Sequence, residues 1–207
     1  MNSKDYWNEV HKSLESEELV YDNWLDLFEK EIDSSTLPII DLGCGEGNNV
    51  LYLTKKKKQV IPCDYSEVAI SNINKRFPNV KAMCFDITED LPFENNSAEI
   101  VIADLSLHYF TKETTIKILE EIKRVLVPNG ILLFRVNSVK DVNHGAMQGK
   151  EIEHHLFENN GNLKRFFDKE DFDIFFSEWE TIYLNEEKMY RYTKEKIVWY
   201  GAMKVNK

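Results

Sequence analysis

An apolar strand that ends in an acid and runs straight into alternating glycines leaves a chain few folds to choose from. Here Pro38, Ile39, Ile40, Asp41 and Leu42 lead into Gly43, Cys44, Gly45, Glu46, Gly47 and Asn48. Glycine turns the backbone through positive φ and lets a ligand lie against bare main chain. Strand, glycine-rich turn and helix N-terminus together form the nucleotide-binding corner of an open α/β sheet. The dinucleotide fingerprint G-x-G-x-x-G would want glycine at position 48, which is Asn48. The pattern is instead D-x-G-x-G-x-G.

The spacing of later acids adds weight. The apolar run 60–63 ends in Asp64, which lies 23 residues after Asp41. An α/β nucleotide binder carries its ribose-binding carboxylate at about this distance. The run 80–85 ends in Asp86, followed by Ile87, and the run 98–103 ends in Asp104. Any one of these acids reads equally well as a turn residue. Four at successive strand ends point to the carboxyl edge of a sheet, where ligands bind in this architecture.

This combination resembles the class I S-adenosylmethionine-dependent methyltransferases, and the resemblance covers most of the chain. It implies that Gly43, Gly45 and Gly47 wrap the methionine half of S-adenosyl-L-methionine, that Asp64 holds the ribose, and that Asp86 and Ile87 bracket the adenine. Asp41, Cys44, Asn48, Tyr65, Asp104 and Leu105 complete the implied cofactor set. The segment from Asp104 through Leu105, Ser106, Leu107, His108 and Tyr109 would lie beside the reactive methyl. Many small-molecule members open with a Tyr-Trp pair like Tyr6 and Trp7 that folds over the cofactor, and an aromatic face attracts a sulfonium. Packing of that helix on the sheet is the plain alternative. Leu126, Val127, Pro128, Asn129 and Gly130 resemble the family's L-x-P-G-G turn, with Asn129 for the first glycine. The tail from Phe166 onward is similar to the branch that includes tellurite-resistance-type methyltransferases.

On the acceptor side, His108 is the candidate general base, and it also reads as a packing histidine. His108, Tyr109, His144, His154 and His155 are the candidate substrate-binding residues. No metal is expected, because no spacing matches a known ligand set.

Composition narrows the partners. The net charge of −10 argues against a nucleic-acid surface, which is normally basic. The one basic run, Lys55 to Lys58, reads as a solvated helix end favoured by the dipole. The fourth strand end lacks the N/D-P-P-Y and Pro-Cys motifs of DNA-modifying members. No stretch approaches the ~20 apolar residues of a membrane span, and residues 1–5 lead into no signal-type apolar core. Cys44, Cys63 and Cys84 show no zinc spacing and read as small buried residues at strand ends. A cytoplasmic monomer or homodimer with no nucleic-acid or membrane partner is therefore expected.

With 43% apolar residues, residues 1–207 are expected to form one methyltransferase domain. It should be an α/β, Rossmann-like, mostly parallel seven-stranded sheet with helices on both faces and a C-terminal antiparallel hairpin. Residues 1–36 form a helical cap. Strands are predicted at 37–41, 60–63, 80–85, 99–103 and 131–136, and helices at 46–56, 66–76, 111–126 and 168–176. The hairpin is predicted at 179–185 and 196–204. The polar segment 137–164, rich in Gly, Asn and His, reads as a long loop inserted after the fifth strand and able to cover the site. The expected function is methyl transfer to a small molecule. A protein or RNA acceptor, or a non-catalytic cofactor-binding role, is the alternative.

Overall fold

The computed structural model describes residues 3–207; the first two residues of the expected cap lie outside it. Helix α1 (Ser3–Leu14) leads to a 3-10 turn (Trp24–Phe28) and α2 (Glu29–Ser34). Then follow β1 (Ile39–Leu42), α3 (Asn48–Lys55), β2 (Val60–Asp64), α4 (Glu67–Arg76), β3 (Met83–Cys84), β4 (Ala98–Asp104), α5 (Lys112–Val125) and β5 (Leu126–Asn137). A second 3-10 turn (Val142–His144) precedes β6 (Lys150–Glu153), β7 (Leu156–Asn159) and β8 (Asn162–Arg165). Helix α6 (Lys169–Phe175) and the hairpin β9 (Trp179–Met189) and β10 (Lys196–Val205) complete the chain. The main sheet has the order β3-β2-β1-β4-β5-β10-β9. Its first five strands are parallel, and β10 is antiparallel to both β5 and β9. The mostly parallel seven-stranded sheet with a terminal hairpin is as the sequence implies.

Each face of the sheet has its own core. On one, Ile118, Leu119, Ile122 and Val125 of α5 and Phe172 and Phe175 of α6 pack against Val101, Leu132 and Phe134. On the other, Trp24, Leu25, Phe28 and Ile32 join Val50 and Leu53 of α3 and Ile73 of α4. Side-chain caps set the helix starts: Ser66 accepts from Ala69 N, and Thr111 from Thr114 N. Asp168 and Asp171 form a reciprocal capping box at α6. Within the lysine run Lys56 pairs with Glu29, and Lys58 donates to the carbonyls of Asp33 and Ser35.

Three expectations need correction. The third strand is only Met83–Cys84, an edge strand rather than 80–85, and Cys84 there is exposed. Helix α3 starts two residues late, because Gly47 sits at φ +95° and ends the turn before the helix can begin. The segment 137–164 is not a structureless loop. Strands β6, β7 and β8 form a separate antiparallel sheet, closed by Phe157 and Phe166 packing with Ala146. Its second turn is Asn160 and Gly161, both at positive φ between paired Asn159 and Asn162. That is the two-residue Asn-Gly hairpin signal, set among other polar residues.

Gly201 pairs with Phe134 across β10 and β5, and a Cβ there would lie 2.1 Å from the Phe134 ring. Phe134 is itself stacked on Phe176 and has little room to yield. Gly201→Ala is therefore expected to cost about 2 kcal/mol by overpacking, lowering the melting temperature by about 4–8 °C. An unchanged melting curve would mean that this contact relaxes freely.

Candidate active site

The carboxyl ends of β1, β2, β4 and β5 come together at one edge of the sheet, and the alternating glycines lie among them. Gly43, Gly45 and Gly47 all have positive φ. A Cβ on Gly43 would strike the Ser106 side chain at 2.5 Å, whereas one on Gly45 would meet only His11, at 3.6 Å. Gly43 thus lets the turn close against the segment after β4, and Gly45 keeps its backbone bare. Asp64 fixes the turn by accepting from Gly45 N (2.9 Å) and Ser66 N (2.8 Å). Helix α1 lies over the turn. His11 reaches Glu46 at 2.9 Å, Asn8 accepts from the Ser66 hydroxyl, and Trp7 meets the Tyr109 ring edge-on at 5.1 Å.

Asp41 is fully buried. Its Oδ1 accepts from the Asn49 amide at 3.0 Å, and the Asn49 oxygen accepts from the Trp24 indole. Its Oδ2 has no partner among the described residues. Burial pushes this carboxyl up to about 7, with help from the charges of Asp104 and Asp64. Beyond Asp41, the buried polar atoms without a partner among the described residues include Asn48 Oδ1, His108 Nδ1 and both amide atoms of Asn137. These four residues lie at or just beyond the carboxyl edge; Asn72 Oδ1 of α4, Arg135 Nη1 and Arg165 Nε are also without a partner among the described residues. Unpaired buried polar groups are costly and rare, so their concentration at one edge marks a place where a ligand completes the bonding.

Asp104 is committed to an ion network. Arg135 Nε and Nη2 donate to its two oxygens at 2.7 and 2.8 Å. Arg135 and Arg191 both donate to Asp22 Oδ2, and Arg191 also reaches Asp104. Trp24 lies 4.6 Å from the Arg135 guanidinium. Burial pushes the Asp104 carboxyl up, but the two guanidiniums outweigh it and hold the group below the usual carboxylate range.

His108 is buried, and burial lowers its pKa well below the ordinary histidine value, reinforced by Lys164 and Lys196. The imidazole is neutral at pH 7. His144 lies on Asp141 (2.8 Å). His155 lies on Asp171 (2.8 Å), with the His154 ring tilted against it at 3.7 Å. His154, His155 and Asp171 offer three ligand atoms within 4.8 Å of one another, a closeness that the carboxylate–imidazole bond and the ring contact account for. Asp86 accepts from Thr88, Ile87 is buried, the Tyr65 ring lies under Lys4, and Leu105 takes φ +56°. Tyr6 packs edge-on against Trp7, and Cys44 is buried at the turn.

Sequence reading missed Asp22, Asn49, Arg135, Asn137, Lys164, Arg191 and Lys196. Only Arg135 carried a usable signal, because a charge inside the apolar run 131–136 demands a buried partner.

Residues 39–130 match the family described as a methyltransferase domain. Phosphoethanolamine N-methyltransferase 1 of Zea mays is 31% identical over 145 residues, covering 64% of this chain and 29% of the maize protein. The tRNA N(3)-methylcytidine methyltransferase Mettl2 of Drosophila melanogaster is 30% identical over 146 residues, covering 64% of this chain and 45% of the fly protein. The chain thus spans less than half the length of both. A SAM-dependent methyltransferase from Methanosarcina mazei superposes with a TM-score of 0.72 at 17% identity, covering 87% of this chain and 97% of that one. TehB from Haemophilus influenzae gives 0.66 at 17% identity, covering 98% and 67%. Residues 39–130 thus carry the methyltransferase-domain match, and the chain has the fold of solved S-adenosylmethionine-dependent methyltransferases.

Two outcomes follow from the buried charges. Arg135→Met leaves Asp104 and Asp22 facing each other with less compensation, so it should cost about 3–5 kcal/mol in denaturant unfolding. Arg191→Met, at the more open end, should cost less; the reverse order would contradict the network. For Asp41 the folded state holds a proton that the unfolded chain releases above pH 3.8. Its contribution is therefore greatest below that pH and is lost as pH rises through about 7. In thermal melts of the ligand-free protein, Asp41→Asn should gain stability over the parent between about pH 4 and pH 7. A constant difference across that range would show that Asp41 does not titrate there.

Proposed function

We propose that this protein is a cytoplasmic S-adenosylmethionine-dependent methyltransferase acting on a small molecule. The observation that carries this is the concentration of unpartnered buried polar atoms and a bare-backbone glycine turn at the carboxyl edge. The site suits S-adenosylmethionine because the cofactor bears two cationic groups, and Asp41, near Asp64 and Asp104, has a buried oxygen with no partner among the described residues. In this reading Asp41, Gly43, Cys44, Gly45, Gly47 and Asn48 hold the methionine half. Asp64 and Tyr65 take the ribose side, and Asp86 and Ile87 the adenine. Asp104 and Leu105 line the methyl, under Tyr6 and Trp7. When bound, the cofactor supplies an activated methyl on sulfur.

The protein's task is then to align the acceptor and exclude water, and alignment can be worth roughly 7–11 kcal/mol. His108, Tyr109, His144, His154 and His155 are the proposed acceptor-side residues. A buried neutral His108 with depressed basicity suits a hydrogen-bonding and positioning role better than that of a strong base. An RNA acceptor, suggested by the fly relative, has the net charge of −10 against it.

S-adenosylhomocysteine is expected to bind in the micromolar range by calorimetry and to raise the melting temperature, while NAD does neither. Asp64→Ala should weaken S-adenosylhomocysteine binding by roughly 2–3 kcal/mol. Binding of NAD in place of S-adenosylhomocysteine would refute this reading.

A further inference from the structure

The three-stranded insert brings cations over the acceptor side of the site. Arg165 N donates to His108 O, and Phe167 N donates to Asn137 O, both at 2.7 Å. Two residues in one short segment thus tie down the chain just past β4 and the end of β5. They do so beside His108 and Asn137, whose side chains, like Arg165 Nε, keep unpaired polar atoms among the described residues. Lys164 immediately precedes this clamp. Its Nζ contacts the His144 carbonyl at 3.0 Å and lies over the Phe166 ring, and it forms no ion pair among the described residues. Lys196, 4% exposed, enters from the start of β10.

The local charges do not cancel. Asp141 is shared among Lys196 (3.0 Å), His144 (2.8 Å) and Ile197 N (3.3 Å), so little of it remains for Lys164. Asp104 and Asp22 are already matched by Arg135 and Arg191. A half-buried ammonium served by a carbonyl and a ring face is poorly compensated, since desolvated charge needs an opposite charge or full hydrogen bonding. Tyr192, near both His144 and Lys196, adds an aromatic side to the same region.

We propose that the acceptor of this methyltransferase is a small molecule bearing an oxyanion, a carboxylate or a phosphate, seated by Lys164 and Lys196 beside His108 and Asn137. The inference rests on the methyltransferase reading and adds the chemical class of its acceptor. An anion there completes the bonding of Lys164, and the Asn137 amide can donate to the same oxygens.

The test is calorimetry on protein saturated with S-adenosylhomocysteine, titrated separately with benzoate, inorganic phosphate and neutral benzamide. Benzoate or phosphate should bind and benzamide should not, the responding anion identifying the carboxylate or phosphate class. Lys164→Gln should weaken the anion by about tenfold to a hundredfold, Lys164→Arg should restore most of it, and both variants should keep parental S-adenosylhomocysteine affinity. The proposal fails if neither anion binds, if benzamide binds as well as benzoate, or if Lys164→Gln binds the anion unchanged. Loss of S-adenosylhomocysteine binding by the parent protein would instead remove the methyltransferase reading, and this proposal with it.

Discussion

Four charged side chains from four distant parts of the chain meet beneath the site, and much of the surrounding architecture follows from their need for one another. Arg135 is fully buried in β5. It is matched by Asp104 at the end of β4, by Asp22 from the segment after α1, and, through those acids, to Arg191 beyond β9. Two positive and two negative charges close the account locally. A buried ion network of this kind contributes less to net stability than its short distances suggest, because desolvation offsets much of the attraction. Its effect is positional: Asp22 can sit only where Arg135 and Arg191 converge, so the N-terminal segment is drawn across the sheet edge. Trp24, stacked near Arg135, then carries its indole to Asn49 and through it to Asp41.

That chain of contacts links structural core to candidate cofactor site. Asn49 is oriented from one side by Trp24 and from the other by Asp41, so one Asp41 oxygen is satisfied and the other has no partner among the described residues. That second oxygen, the bare Gly45 backbone and the Asp64 carboxylate that holds Gly45 belong to one constellation. It has negative character in a partly desolvated place, which suits a cofactor carrying positive charge. A few residues further along the edge, toward His108 and Lys164, the character reverses. The two ends of the edge thus differ in local charge, and the proposed division between cofactor and acceptor rests on that difference.

The insert after β5 shows how local signals and long-range contacts divide the work. Asn160 and Gly161 make its second turn, and alternating residues make its strands. Its placement depends on Arg165 and Phe167 bonding to the backbones of His108 and Asn137. Nothing in the polar composition of 137–164 conveys those bonds. They are main-chain contacts across large sequence separations, and main chain carries no side-chain signature.

By itself the sequence determined the sheet, the glycine turn and the acids at the strand ends, because these depend on short-range periodicity and on the special conformations of glycine. It also determined the terminal hairpin and the left-handed turn at Asn129. It overextended β3, since apolar character at 80–85 does not distinguish a strand from an edge segment with two paired residues. Only the tertiary structure decided that Arg135 meets Asp22, that His108 is buried with Nδ1 unpartnered among the described residues, and that Lys164 and Lys196 both come up to His144 and Asp141. Those outcomes depend on which distant segments share a desolvated space. Burial and charge compensation belong to that shared space, and no window along the chain contains it.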